Sequence, residues 1–165
     1  MVRSRFEHRI TAEAFRELVV PLVGMAVSRP WRGYGSALFL ELGTLREERH
    51  PPSRTRPEGG VSLTGEATVM VQWSWRVERP RSIAFGSWST DRRMDFGIAR
   101  LEGHRVEGIT VEGRLPELVI ALSGGLWVHA FNTAEGQPQW TVFLPDQSWL
   151  TVDGGRPLRN KQNAR

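Results

Sequence analysis

The chain has 165 residues, with 22 basic and 18 acidic side chains and a net charge of +4. A domain of this length buries roughly 70% of its unfolded surface, which is enough for a real core. The absence of cysteine excludes disulfides and thiolate metal sites, and no apolar run approaches the roughly 18 residues of a membrane span. Because no apolar, signal-peptide-like segment follows the N-terminus, we expect a cytoplasmic protein without a membrane partner.

The excess positive charge lies at the C-terminal end of the sequence. Residues 1–155 hold 18 basic and 18 acidic side chains, so they carry no net charge. The last ten residues contain four basic side chains, no acidic one, and too little apolar surface to fold alone. We therefore predict a single β-rich domain over residues 1–155 and a disordered basic tail over residues 156–165.

The N-terminal part predicts one helix over residues 10–24. Apolar residues recur at helical spacing from Phe15 to Leu22. Thr11 is a suitable N-cap, and Pro21 disfavours helical geometry in the residue before it. We expect the helix to end or kink at that proline.

A bend, a strand and a long loop follow. Residues 30–35 are rich in glycine and proline and predict a bend, and residues 36–42 predict a central strand because both of its faces are mostly apolar. Residues 44–64 contain several prolines, glycines and charged side chains. They predict a surface loop, of which residues 46–60 are mobile.

Residues 66–78 predict the longest strand of the chain. Alternation places six apolar side chains on one face, which should form core: Ala67, Val69, Val71, Trp73, Trp75 and Val77. Thr68, Gln72 and Arg76 should point outward. Residues 82–89 predict a further strand with a bulge at Gly86, and residues 90–96 predict a charged loop.

The C-terminal half predicts a meander of short strands. A hairpin turn at residues 123–125 joins a strand over 118–122 to a strand over 126–131. A polar loop over residues 132–139 follows. The meander ends with strands over 140–144 and 149–152, joined by a turn at residues 145–147.

Two parts of the sequence resemble each other. Residues 22–27 match residues 101–106 at an offset of 79, and residues 38–42 match residues 118–122 at an offset of 80. We therefore predict an internal repeat, approximately residues 22–78 and 101–152. The sequence predicts a mainly β fold of two related β units: a curved antiparallel sheet, a sandwich or a partly closed barrel, with one N-terminal helix and no helix after residue 24.

Catalytic and metal-binding patterns are missing from the sequence. The histidines at positions 8, 50, 104 and 129 lack ligand spacing, so we expect neither a metal site nor a cofactor. Glu41 and Glu66 can form an acid–base pair if their strands are neighbours. A glutamate on an apolar strand face is more often paired with an arginine, here Arg76. We therefore expect a protein that is not an enzyme.

The seven tryptophans are the most distinctive feature of the composition. We interpret Trp73, Trp75 and Trp140 as core, because small β domains rely on large apolar side chains. Aromatic and arginine side chains in two loops suggest a partner-binding patch at one end of the sheet, because such residues dominate interface energies. The candidate residues are Trp31, Arg32, Tyr34, Trp88, Asp91, Arg92 and Arg93, with Asp95 at the edge. Alternatively, Trp31 and Trp88 plug the open end of a barrel.

Several short motifs carry a resemblance to a known group of proteins. They are Gly35-Ser36-Ala37-Leu38-Phe39-Leu40-Glu41-Leu42-Gly43, Gly65-Glu66, Trp75-Arg76-Val77-Glu78 and Leu118-x-Ile120-x-Leu122-Ser123-x-Gly125. In these motifs the chain resembles a group of uncharacterised small bacterial β-rich proteins, often found among candidate immunity proteins of toxin systems. The resemblance implies a mostly β fold and a protein partner, and it transfers no catalytic residues.

Three functions therefore remain open at this point. The leading hypothesis is a non-enzymatic protein-binding module, an immunity-type or accessory protein that docks onto another protein. The first alternative is a nucleic-acid-binding accessory protein that uses the Arg/Trp loops and the basic tail. The second alternative is a small-ligand β-barrel.

Overall fold

Antiparallel strands make up half of the chain, and the computed structural model describes residues 6–54, 57–153 and 155–161. The helices are α1 (Ala12–Val19), which continues into a short 3-10 turn (Val20–Leu22), and α2 (Asp91–Ala99). The strands are β1 (Phe6–Arg9), β2 (Val27–Arg32), β3 (Leu38–Leu42), β4 (Arg46–His50), β5 (Gly60–Thr64), β6 (Ala67–Val71), β7 (Ser74–Arg79), β8 (Ser82–Gly86), β9 (Val106–Glu112), β10 (Glu117–Leu122), β11 (Leu126–Phe131), β12 (Trp140–Phe143), β13 (Ser148–Asp153) and β14 (Arg156–Lys161).

The strands form two large sheets and one separate hairpin. The seven-stranded sheet has the order β1-β14-β13-β12-β6-β3-β2, the five-stranded sheet has the order β8-β7-β11-β10-β9, and β4 pairs with β5. Every pairing is antiparallel. The predicted mainly β, antiparallel fold with an N-terminal helix is confirmed, and the sheets of the described residues do not close into a barrel.

Apolar side chains from one face of each sheet form a single core. In β3 the core positions are Leu38, Leu40 and Leu42, and in β10 they are Leu118, Ile120 and Leu122; all six are buried. The period-2 alternation of a strand places these residues on one face. The predicted hairpin of β10 and β11 and the pairing of β12 with β13 are confirmed. The single meander predicted for the C-terminal half is wrong, because β11 and β12 belong to different sheets.

Helix α1 is shorter than predicted. Thr11 is its N-cap, and the Thr11 hydroxyl accepts a hydrogen bond from the Ala14 amide at 3.1 Å. The α-helix ends at Val19, because Pro21 lies in the 3-10 turn that follows. Phe15 is fully buried, and its ring meets Trp140 edge-on at 5.6 Å.

Helix α2 corrects the prediction of a charged loop over residues 90–96 and of no helix after residue 24. Met94 and Ile98 are buried at helical spacing, and the helix packs against β2 and β8. Asp91, Arg92 and Arg93 lie in its first turn, where they are exposed. Four charged side chains and a glycine obscured the short apolar stripe in the sequence.

The predicted strand over residues 66–78 is two strands that belong to different sheets. β6 ends at Val71 in the seven-stranded sheet, and β7 begins at Ser74 in the five-stranded sheet. Trp73 lies at the crossing with φ +61°, and 53% of its surface is exposed. Its assignment to the core is therefore wrong, because a crossing strand need not preserve alternation. The core assignments of Trp75 and Val77 are confirmed.

Three further predictions need correction. Residues 30–35 are not simply a bend, because β2 continues through Pro30 to Arg32; a proline is tolerated there since β2 is an edge strand. Thr68 is buried rather than exposed, and its hydroxyl donates to Glu41. Between β7 and β8 the register shifts opposite Ala84, between the pairs Val77–Phe85 and Glu78–Ile83, rather than at Gly86.

Residues 44–64 are a hairpin rather than a structureless loop. β4 pairs with β5 from Arg46–Thr64 to His50–Gly60. Arg29 donates to the carbonyl of Leu63 at 3.1 Å and so ties the hairpin to β2. Residues 55–56, which fall in the predicted mobile segment, lie outside the described residues. Backbone pairing decides this element, because its side chains are mostly polar and exposed.

The predicted disordered tail is wrong for Arg156–Lys161, which form β14. This strand lies between β13 and β1 and buries Leu158 and Asn160. Arg159 pairs with Asp146 at 2.7 Å. The pKa of Asp146 is lowered by hydrogen bonds from Ser148 first and by Arg159, against partial desolvation. Pairing on both edges orders this polar segment, which cannot fold alone. Residues 162–165 lie outside the described residues.

Two turns meet through reciprocal hydrogen bonds. Gly24 donates to the carbonyl of Val106 at 2.7 Å, and Gly103 donates to the carbonyl of Val27 at 2.9 Å. Both glycines have positive φ, +88° and +85°. These donors lie 79 residues apart, as do these acceptors. We call this contact the central joint, completed by the bridge between Ala26 and Arg105.

Equivalent contacts recur away from the central joint. The pairing of β2 with β3 and the pairing of β9 with β10 each contain one register shift next to Val27 or Val106. After β6 and after β11 the chain crosses to the other sheet and buries a tryptophan. The Trp75 indole donates to the carbonyl of Ser36 at 2.6 Å, and the Trp140 indole donates to that of Pro116 at 2.8 Å.

Candidate docking surface

An ion-pair cluster joins the end of β2 to the start of α2. The guanidinium of Arg32 contacts Asp91 at 2.7 Å and Asp95 at 2.8 Å. Asp91 and Asp95 are one helical turn apart, so both carboxylates reach the same arginine. The two loops predicted to form a binding patch therefore lie side by side.

The charge state of Arg32 follows from these contacts. Its pKa is raised, first by the hydrogen bond to Asp91 and further by the charges of Asp95 and Asp91; desolvation opposes the shift and is second in size only to that hydrogen bond. Arg32 also lies 3.5 Å from the carbonyl of Gly35. The guanidinium is thus charged and held in one orientation at the surface.

A series of hydrogen bonds links three segments at this end of the molecule. Ser36 donates to the carbonyl of Trp73 at 3.4 Å, while Trp75 donates to the carbonyl of Ser36. The amide of Ser87 donates to the carbonyl of Trp75 at 2.9 Å. The β2–β3 turn, the β6–β7 crossing and the turn before α2 are therefore fixed relative to one another.

Each of these three segments exposes a large aromatic side chain. Tyr34 is fully exposed, Trp88 is 90% exposed and Trp73 is 53% exposed. We call these residues, together with Arg32 and Asp91, the aromatic end. Exposed apolar groups that occur singly are ordinary; these three are exposed on segments that hydrogen bonds join to one another.

The remaining predicted site residues lie elsewhere or contribute differently. Trp31 is half-buried on the outer surface of the seven-stranded sheet, where it stacks on Phe39 at a centroid distance of 4.0 Å. Arg92 is exposed on α2, whereas Arg93 turns away to donate to the carbonyl of Ala84 at 2.9 Å. Trp88 is 90% exposed, so it does not plug the open end of a barrel. The binding role of all these residues stays a prediction.

Trp73 belongs to the aromatic end, although the alternation of the sequence predicts that it lies in the core. A strand of thirteen residues is longer than the five or six that are typical. That length was the available signal that the segment contains a crossing. The alternation of Val71, Trp73 and Trp75 continues through the break, so parity alone could not reveal it.

Glu41 is part of a hydrogen-bonded cluster and does not form the predicted acid–base pair with Glu66. Its buried carboxylate accepts from the Trp31 indole at 3.0 Å, the Gly65 amide at 3.0 Å and the Thr68 hydroxyl at 2.6 Å. Glu66 accepts instead from the Thr44 amide. These donors satisfy the buried charge of Glu41.

Arg76, the predicted partner of Glu41, lies on the five-stranded sheet. It contacts Glu78 at 2.6 Å and lies over the Phe131 ring at 4.6 Å. His129 stacks on the same ring and lies 3.7 Å from both Glu78 and Glu117. This charged row covers the outer surface of β7 and β11.

A cavity of about 620 Å³ lies beside the loop over residues 132–139. Its lining includes Trp149 and two asparagines, Asn132 and Asn160, whose buried Oδ1 atoms have no hydrogen-bond partner among the described residues. This cavity does not restore the small-ligand β-barrel alternative, because the sheets of the described residues do not close into a barrel. Across residues 6–54, 57–153 and 155–161, no group of three or more His, Asp or Glu side chains could hold a metal ion.

Comparisons with known proteins found no relative: no protein family, curated protein or solved structure matches this chain. Within the described part of the chain, neither helix has the length and apolar character needed to cross a membrane.

Proposed function

We propose that this protein is a non-enzymatic binding module that docks onto another protein through the aromatic end. The observation that carries the proposal is the exposure of Tyr34, Trp73 and Trp88 on three adjoining segments. Tyrosine, tryptophan and arginine are the residues most enriched in interface hot spots. An immunity-type or accessory role is the form of this function that the sequence resemblance favours.

Burial of these rings supplies a driving force for association. Complete burial of one large apolar side chain contributes roughly 2–3 kcal/mol. A stable interface needs about 800 Å² from each partner, so the aromatic end would form the centre of a larger contact. Asp91 and Asp95 both pair with Arg32, so the charge of the guanidinium is satisfied and the cluster keeps one net negative charge.

Rigidity of the backbone supports the same proposal. The hydrogen bonds from Ser36 and Ser87 hold the three segments in place before any partner arrives. A preorganised surface loses less conformational entropy on binding than a flexible loop does.

Affinity capture from the native host tests the proposal. The protein carrying Tyr34→Ser and Trp88→Ser is compared with the wild type and with a control carrying Phe143→Ala. Phe143 is 41% exposed on β12, outside the aromatic end. We expect one protein to be retained by the wild type and the control and lost from the double variant, with all three equally stable to urea.

The captured protein must then bind in purified form with the same dependence on Tyr34 and Trp88. The proposal fails if the purified protein binds the double variant as tightly as the wild type, or if repeated captures retain nothing specific.

Nucleic-acid binding remains an alternative proposal, supported by exposed aromatic side chains near Arg32 and Arg92. Two arginines that would serve it are already neutralised, because Arg32 and Arg159 pair with carboxylates. Single-stranded DNA binding that falls steeply with salt would favour this alternative. If the amount of single-stranded DNA retained is unchanged between about 50 and 200 mM salt, the nucleic-acid alternative is rejected.

A further inference from the structure

A second cavity, of about 540 Å³, lies between α2 and the five-stranded sheet. Its apolar floor includes Val77, Phe85 and Leu101, all of which are buried. Helix α2 approaches the Phe85 ring closely at Gly97, where a Cβ atom would lie only 2.5 Å from the ring. The floor therefore depends on the absence of a side chain at that position.

The walls of this cavity are basic. Arg79, Arg93, Arg100 and His104 line it, and no acidic side chain from the described part of the chain does. Among the described residues, the three arginines of the cavity form no ion pair with a carboxylate. Arg32, Arg76 and Arg159, which lie elsewhere, each form one or more. Unpaired like charges around one cavity repel one another, and a bound anion relieves that repulsion.

Several of these side chains are held in position. Arg93 donates to the carbonyl of Ala84 at 2.9 Å, and the Arg100 guanidinium lies over the Phe96 ring at 5.4 Å. His104 Nδ1 lies 2.7 Å from the carbonyl of Ser123. A carbonyl only accepts, so Nδ1 carries the proton of that bond.

We propose that this cavity binds a phosphate-bearing organic molecule. The phosphate group would be held by Arg93, Arg100 and Arg79, because the planar guanidinium matches phosphate oxygens with two parallel hydrogen bonds. Three cations balance a phosphate dianion better than a monocarboxylate. The apolar floor and the exposed Phe96 ring would contact a flat carbon skeleton, which free phosphate lacks.

The site is distinct from the proposed docking surface. Asp91 and Asp95 face Arg32, whereas Arg93, Gly97 and Arg100 lie on the opposite side of α2, because residues two and five positions from Asp95 project in other directions. The test of the cavity is therefore independent of the docking proposal.

Titration of the full chain with phenyl phosphate, followed by amide NMR shifts at low ionic strength, tests the proposal. We expect saturable shifts centred on α2 and His104, with affinity at least fivefold higher than for inorganic phosphate and for benzoate. Arg93→Gln and Arg100→Gln should each weaken binding about tenfold, since each removes a charge-assisted contact. Arg92→Gln removes the same charge from the same helix outside the cavity lining, and should change the affinity less than twofold.

The inference is overturned if phenyl phosphate produces no saturable shifts. It is equally overturned if Arg93→Gln and Arg100→Gln bind as the wild type does. Equal affinity for benzoate would reject the phosphate assignment, and equal affinity for inorganic phosphate would reject the organic one. All three variants alter exposed side chains, so their amide spectra should remain those of the folded protein.

Discussion

At the scale of single residues, Trp73 has a backbone conformation that folding alone does not favour. Its φ of +61° lies in the left-handed region, which is unfavourable for residues with a Cβ, and its indole is half exposed. Strained residues occur most often where a chain presents a functional group. The exposed indole is thus maintained against a local energetic penalty.

Trp73→Gly should be more stable than Trp73→Ala by about 1 kcal/mol, because only glycine adopts this φ without strain. Both variants lose the indole, so the comparison isolates the backbone. Urea denaturation measures the difference. An alanine variant as stable as the glycine variant would show that residue 73 leaves the left-handed region once the ring is removed.

Trp140 shows the opposite situation, a tryptophan used entirely for packing. Trp140→Ala should lower the free energy of unfolding by roughly 3–5 kcal/mol, because the ring is fully buried against Phe15. Trp140→Phe should lower it by only about 1–2 kcal/mol. In that variant the Pro116 carbonyl loses the hydrogen bond from the indole but keeps the one from the Asn132 side-chain amide, at 3.1 Å. Urea denaturation that gives less than about 1 kcal/mol for the alanine variant would contradict the packing role.

At the scale of elements, β14 shows how partners can order a segment of low apolar content. Deletion of residues 156–165 should lower the free energy of unfolding by about 3–5 kcal/mol or more, because it removes buried Leu158 and the only neighbour of β1 in the described sheet. Arg156→Gln with Lys161→Gln removes two exposed charges and should change stability by less than about 0.5 kcal/mol. Chemical denaturation measures both effects. If residues 156–165 were a dispensable tail rather than a structural strand, their deletion would leave the free energy of unfolding unchanged.

The turn between β12 and β13 should make stability depend on pH. The pKa of Asp146 is lower in the folded state, so its contribution is fully present above the ordinary aspartate pKa of about 3.9 and is lost as the pH falls through the folded value. Asp146→Asn should therefore reduce the loss of unfolding free energy below about pH 4. Urea titrations at several pH values measure this slope, and identical slopes would exclude the effect.

The same elements show what could be read from the sequence. β3, β10 and β11 follow from alternation, because each has a fully apolar inner face. β14 and the hairpin of β4 and β5 could not be found in that way, since their order comes from partners distant in sequence or from backbone pairing. The proximity of Arg32 to Asp91 was predicted. The exposure of Trp73 could not be predicted, because the alternation of apolar residues continues where the chain passes from one sheet to the other.

At the scale of the whole molecule, the central joint connects the two halves of the chain. Its hydrogen bonds are reciprocal between residues 24–27 and 103–106. The internal repeat itself stays a prediction, although the paired contacts agree with it in register. The geometry nonetheless implies that the two turns contribute similarly to the free energy of unfolding.

Gly24→Ala and Gly103→Ala should each lower the free energy of unfolding by about 1 kcal/mol, and by similar amounts. A Cβ at either position meets no atom of the described residues within 4 Å, so we expect the effect to come from backbone strain. Gly108→Ala is a matched control, because a Cβ there also meets nothing and its φ is not positive. Urea denaturation of the three variants measures the difference, and a control as damaging as the others would refute the explanation.

The position of β1 bears on how fast the chain folds. Its partner is β14, so the pair Arg9–Leu158 closes a loop that spans nearly the whole chain. The entropy of closure grows only with the logarithm of loop length, so the equilibrium is little affected. Distant pairings slow the search for the native topology, and proteins dominated by them fold in milliseconds to seconds. The edge formed by β1 and β14 is therefore the part of the seven-stranded sheet that should assemble last.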